Sequence, residues 1–333
     1  MTRRIRYDAW PAADGRLTRR GAITTWTSPW CRPGFRFADL VASWSATTPR
    51  GSWVEVRVQA QQERTWHELG RWASGPGAAH RSSVVGDPEV DTDTWRPSSG
   101  AEGYRIEVDL RPSPAGRVPT LERLAAVVSA GSARRTTSSP RRRVERVLDV
   151  PRLSQMTYAE VGGRGWCSPA SVAMVLSHAH RLPATTDAGT ADLHRAAREV
   201  LDPAYDGTGN WSFNTAWAAG LTGHAFLTRL RDLRDAERFV DAGIPLVASV
   251  AYAPGALHGA PTHGTDGHLL VIRGFTETGD VVTNDPAAPT DRSVRRTYHR
   301  GQLERAWLEG SGGLVYVIHR ADQPLPAGSR GAW

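Results

Sequence analysis

Lysine is absent from this 333-residue chain, so all 41 of its basic residues are arginine. Because 34 acidic residues are interspersed among them and the net charge is only +7, no continuous basic face emerges. Composition therefore argues against a nucleic-acid-binding protein. Cysteine is nearly absent too. Cys31 and Cys167 are too few for a disulfide framework and lack the paired spacing of a cysteine-based zinc site. Thiol chemistry, if present, rests on a single thiol. No apolar run approaches the ~18 residues of a membrane-spanning helix. The first 26 residues carry arginine without the apolar stretch of a signal peptide. Neither anchor nor leader is expected, and a cytoplasmic location follows. What is present is the material of a folded protein: 40% hydrophobic residues, 23% charged, and 13 Trp. The length fits two domains, and no repeat of 20–50 residues is visible.

The two halves differ in texture and meet in a segment with almost nothing to bury, GSARRTTSSPRRRVER, Gly131 to Arg146. Its run Arg141, Arg142, Arg143 reads as solvated. Upstream the pattern is all-β. In WVEVRVQA, Val54, Val56 and Val58 share one face against Glu55, Arg57 and Gln59; YRIEVDL repeats this with Tyr104, Ile106, Val108 and Leu110. Short strands between Gly, Pro and Asp turns predict an antiparallel sandwich. Eight Trp fall here (10, 26, 30, 44, 53, 66, 72 and 95) and read mainly as core. His67 and His80, without partner spacing, read as ordinary surface or core residues.

Downstream the texture is mixed. SPASVAMVLSHAH predicts a helix directly behind Cys167, with Pro169 at its first position. Further helices are predicted over Asp192 to Leu201 and Leu233 to Ala242. PLVASVAY, HLLVIRGF, GDVVTNDP and GLVYVIH read as strands. A cysteine at a helix N-terminus has its thiolate favoured by orphan N–H groups and the helix dipole, which is how a thiol becomes a nucleophile near neutral pH. The matching base is His268, at the head of an apolar strand. A hairpin turning at Gly279 brings Asp285 near His268, where a carboxylate fixes the imidazole tautomer and stabilises the imidazolium. Asn284 is an adjacent candidate for that role. Gln155, upstream of the cysteine, supplies an amide donor for an oxyanion together with the Cys167 N–H. Cys31, with no helix behind it, reads as a small buried hydrophobe.

Gln155, then W-C-S-P opening a helix, then G-H-L-L-V-I-R-G-F and D-P, in this order, resemble the papain-like cysteine peptidases. The likeness is to cysteine-peptidase family thirty-nine and its bacteriocin leader-peptidase-like relatives, and it runs from about Val150 to His319. The resemblance implies Cys167 as nucleophile, His268 as base, Asp285 as orienting residue and Gln155 as oxyanion donor, on a papain-like helix packed against an antiparallel sheet. GTGNWSFNTAWAAG, Gly207 to Gly220, is similar to a signature of an actinobacterial branch in which a β domain precedes the peptidase-like one. Ser168 stands where many relatives have Gly, and the transporter that carries leader-processing members is not in this sequence.

The expected fold is therefore α+β: an antiparallel β-sandwich over 1–135, a linker over 136–146, a papain-like cysteine peptidase domain over 147–322 and a flexible tail over 323–333. The expected activity is thiol-dependent hydrolysis of a peptide or protein substrate. No cofactor and no metal are expected. His258, His263, Asp266 and His268 form a chemical rival as nitrogen and oxygen ligands, but their spacing is loose and His268 cannot serve both zinc and Cys167. The loop containing them, rich in glycine, has the makings of a lid. The alternative to an enzyme is a silent papain-like scaffold whose β domain recognises a peptide or carbohydrate.

Overall fold

The computed structural model describes residues 3–131, 138–140, 145–179, 186–328 and 333, with the backbone alone for 186–192. The Arg141 to Arg143 run, most of the 136–146 linker and part of the 323–333 tail lie outside the described residues. The chain divides into two compact units, one of 1–131 with 198–227 and Trp333, the other of 132–197 with 228–332.

The N-terminal strands are β1 (Arg4–Pro11), β2 (Arg16–Arg20), β3 (Ile23–Thr27), β4 (Asp39–Thr47), β5 (Trp53–Ala60), β6 (His67–Trp72), β7 (Val90–Asp91), β8 (Thr94–Trp95), β9 (Tyr104–Arg111) and β10 (Thr120–Ala130). The helices are α1 (Cys167–His178), α2 (Thr186–Val200), α3 (Trp211–Thr222), α4 (Leu233–Asp241) and α5 (Arg300–Ser311). The remaining strands are β11 (Arg146–Val147), β12 (Ala225–Arg229), β13 (Leu246–Tyr252), β14 (Thr265–Phe275), β15 (Val281–Asn284), β16 (Arg295–Tyr298) and β17 (Leu314–Ile318).

In the first unit, the described strands form two sheets, ordered β1-β10-β4-β8-β7 and β2-β3-β9-β5-β6. The period-2 reading of β5 and β9 is correct for the inward face: Val54, Val56, Val58, Ile106 and Val108 are fully buried. The other face is not bare. Arg57 bridges Glu55, Glu107 and Asp109, Arg111 bridges Glu55 and Asp109, and Trp53 and Trp66 lie against these arginines. Trp10, Trp26, Trp44, Trp72 and Trp95 are core residues, whereas Trp30 remains 40% exposed. The helix α3 also belongs here. Ser212 Oγ donates to Ala42 O of β4 at 2.7 Å, and Phe213 packs on Trp44 and Trp72. The segment 207–220, singled out in the sequence, thus folds with the N-terminal unit.

In the second unit the sheet order runs β17-β13-β14-β15-β16, with β11 on β14. The pairings from β17 to β16 are antiparallel. Helices α1 and α4 cover β14, and α5 packs on β13, which is why β14 is buried on both faces from His268 onward. The helix α1 starts at Cys167, so Pro169 is its third residue rather than its first. The missing N–H costs nothing there, because the first four N–H groups of a helix have no intrahelical acceptor. A buried ion pair ties α5 to α4: Arg300 Nη1 donates to Glu237 Oε1 at 2.7 Å, and Arg300 also reaches Ser139 O. Truncating the guanidinium strands Glu237 as an unpaired buried charge. Arg300→Met is expected to lower stability by about 3–5 kcal/mol in urea unfolding. The double variant with Glu237→Gln should recover part of the loss; additive losses would contradict the coupling.

Candidate active site

Cys167 is the first residue of α1. The preceding glycines set the approach: Gly162 is left-handed (φ 103°), and the chain enters the helix through a short 3-10 turn, Gly163–Gly165. Ser168 Oγ lies 2.9 Å from Tyr316 Oη, and Ser171 Oγ donates to Leu269 O. The first turn of α1 is thereby pinned to β17 and β14, with Cys167 facing the head of β14. Cys167 itself is half-buried.

The β14–β15 hairpin turns over Thr276 to Asp280, with Gly279 at φ +85°. Its register pairs Val271 with Asn284 and Ile272 with Thr283, with a bulge before Gly274. Asp285 therefore emerges just past the paired stretch. Its Oδ1 lies 2.8 Å from His268 Nε2. Both side chains are buried, Asp285 completely. With Nε2 committed to Asp285, Nδ1 is the ring nitrogen left to act on Cys167, whose thiol His268 lowers. The structure brings Cys167, His268 and Asp285 into one chain of contacts.

Gln155 lies elsewhere on the same framework. Its Nε2 donates to Arg164 O at 2.7 Å, in the turn leading to Cys167, and its N–H to Pro286 O, next to Asp285. Its Oε1 is buried without a partner among the described residues. Asn284 does not orient His268. Its amide donates to the carbonyls of Val150 and Pro151 at 3.2 and 2.8 Å, holding the entry of the unit to β15.

Electrostatics follow from this wiring. Burial pushes the Cys167 thiol up, but the hydrogen bond and charge of His268, with the N–H groups of Leu269 and Ser168, outweigh it and leave the thiol below its ordinary value. Burial likewise pulls His268 down, yet the Asp285 charge and hydrogen bond, with Cys167, raise it to about 10. Asp285, despite its burial, is lowered by His268 and by the Tyr298 hydroxyl. Cys31 is the contrast: burial first and the Asp8 charge second push it up to about 12.

Two family models match the chain: the Peptidase C39 N-terminal domain over residues 3–129 and the Peptidase C39 like family over 147–314. The chain belongs to the Peptidase C39 like family. No curated protein matches it. Among solved structures, a family two carbohydrate esterase from Cellvibrio japonicus is 16% identical, covering 38% of this chain and 34% of that one at a TM-score of 0.16. The chain thus spans about a third of that esterase, and so low a score carries no argument about fold.

Some members of this site in the C39-like unit were not legible in the sequence. Tyr298, on β16, donates its hydroxyl to Asp285 Oδ2 at 2.7 Å, and the Ala287 N–H reaches Oδ1 at 3.1 Å. No motif marks Tyr298; only the pairing of β16 with β15 puts it there. Trp166, Tyr158 and His194 form an aromatic cluster beside Cys167, with ring centroids 5.1–6.0 Å apart. The loop from Ala253 to Gly264 is tied by Gly255 N–H to His263 O and by Tyr252 Oη to Thr262 Oγ1 at 2.6 Å, and Leu257 is buried. His258, His263, Asp266 and His268 do not converge; among the described residues the one cluster with ligand-type atoms close together is Glu63, His67 and Glu89.

Proposed function

We propose that this protein is a cysteine peptidase acting on a peptide or protein substrate. The observation that carries the reading is the buried His268–Asp285 contact of 2.8 Å facing a thiol at the start of α1. In this mechanism the resting pair is Cys167 thiolate and His268 imidazolium. The Cys167 sulfur attacks the scissile carbonyl carbon, and the carbonyl electrons move to oxygen. The Cys167 N–H and the Gln155 amide hydrogen not given to Arg164 O hold that oxyanion. His268 passes its proton to the leaving amine as the C–N bond breaks, leaving a thioester. Water, deprotonated by His268, then releases the acid and restores the pair. Asp285 keeps Nε2 protonated and the ring aligned throughout.

The same reading takes the second unit as papain-like, a helix bearing the nucleophile against an antiparallel sheet that bears the base. The two N-terminal sheets form a β-sandwich in this proposal, the core strands β5 and β9 facing inward. The competing reading, a silent scaffold, has no physical use for a lowered thiol beside a raised imidazole. The experiment is digestion of a diverse peptide mixture with mass-spectrometric readout. Cleavage products that accumulate with wild type and not with Cys167→Ala support a peptidase. Products that persist equally in both would end this reading.

A further inference from the structure

His67, at the start of β6, is 7% exposed, and its two ring nitrogens meet different partners. Nδ1 lies 2.8 Å from Asp87 Oδ2. Nε2 is buried with no hydrogen-bond partner, facing Glu89 Oε2 at 3.6 Å and Glu63 Oε2 at 3.8 Å. These separations exceed a hydrogen bond. They approach the ~3.4 Å between two ligand atoms that each sit about 2.1 Å from a tetrahedral ion. One ligand atom from each of Glu63, His67 and Glu89 lies within 4.8 Å of the others.

The surroundings orient these groups. A carboxylate on Nδ1 fixes the tautomer in which Nε2 offers its lone pair, the usual support of a metal-bound imidazole. Glu89 is held by the Ser98 N–H on Oε1 at 2.8 Å and by Trp95 Nε1 on Oε2 at 3.3 Å. The Trp95 ring also packs on the imidazole, at 5.6 Å. Charge points the same way. Although the chain holds 41 arginines, among the described residues the ion pairs of Glu63, Asp87 and Glu89 all end on His67. Three carboxylates converge on one imidazole, leaving negative charge that a cation would satisfy.

We propose that Glu63, His67 and Glu89 bind one divalent transition-metal ion, of which Zn²⁺ is the reference case, with Asp87 as the positioning residue behind His67. An imidazole donor selects this class over Ca²⁺ and Mg²⁺, which take oxygen sets. Water completes the coordination on the side of Glu63, whose side chain is 34% exposed. The ion clamps the turn after β5 to the loop that leads into β7, inside the N-terminal unit and independent of the thiol chemistry.

The test titrates ZnCl₂ into chelator-treated full-length protein by calorimetry, in a Cys167→Ala background so that the thiol–imidazole pair does not compete for the ion. One equivalent is expected to bind, with the unfolding temperature rising as Zn²⁺ is added. Glu63→Gln, at a partly exposed position that tolerates the change, should weaken binding at least about tenfold, and His67→Gln should remove it. Absence of a micromolar or tighter site would overturn the proposal, leaving His67 and its carboxylates as a structural contact within the N-terminal unit. Unchanged binding in Glu63→Gln would overturn it equally, by locating the ion elsewhere. Glu63→Gln decides the matter even if the buried His67 variant does not fold.

Discussion

Replacing Cys167 by alanine is expected to abolish turnover, a loss of roughly six orders of magnitude in kcat for a nucleophile of this kind, while the protein stays folded. In the proposed mechanism the sulfur attacks the scissile carbonyl, and no neighbouring group substitutes for it. Ser168, the adjacent hydroxyl, is hydrogen-bonded to Tyr316 and fully buried. The structural cost is small because Cys167 is half-buried at a helix end whose packing is set by Ser168, Ser171 and the apolar residues behind them. A change in stability of about 1 kcal/mol or less is expected. Peptide hydrolysis and urea unfolding on the same preparation measure both. Full activity in Cys167→Ala would contradict the mechanism, and gross unfolding would show that the cysteine is structural.

Asp285→Ala is expected to lower kcat/KM by about two to four orders of magnitude without removing activity, since the proposed nucleophile Cys167 and base His268 survive. The pH profile separates this role from mere packing. In the proposed mechanism the active form is the thiolate–imidazolium pair, expected above the lowered Cys167 value and below the His268 value of about 10. Activity is thus expected to rise as pH climbs through the first and to fall as pH climbs through the second. Among the influences that raise His268, the Asp285 charge is the largest. Removing it moves the upper limb to lower pH. Asp285→Asn keeps an oxygen able to accept from Nε2 but not the charge, so it should fall between wild type and Asp285→Ala in rate while sharing the shifted limb. An unshifted limb in both variants would mean that Asp285 serves only the packing around Tyr298.

The parts of the fold that were readable in the sequence are those where one local signal points one way. A small-residue run behind Cys167 forms α1, an apolar run behind His268 forms β14, and Gly279 closes the hairpin that carries Asp285 to it. One helix without a polar face was missed. The helix α3 is buried on nearly every side, from Ser212 through Ala219, and so shows no amphipathic stripe. Its membership of the N-terminal unit depends on Asp93, which accepts from the Trp211 N–H, and on Ser212, contacts far apart in sequence. Tyr298 and the carboxylates around His67 were invisible for the same reason: strand register and loop closure, not spacing, assemble them. The polar face that the alternation of β5 sets apart is covered by arginine–carboxylate pairs and tryptophan, partners that the alternation does not name.

The most direct measurement is the alkylation rate of Cys167 by iodoacetamide from pH 4 to 9, resolved by peptide mass spectrometry, in wild type and His268→Ala. Cys31, pushed up to about 12 by burial, serves as the slow control in the same molecule. Rapid labelling of Cys167 already at pH 6, collapsing in His268→Ala while Cys31 stays unlabelled in both, is the expected result. Labelling of Cys167 that rises only near the ordinary thiol value of about 8.5, and is indifferent to His268, would contradict a thiolate–imidazolium pair and leave the second unit a scaffold.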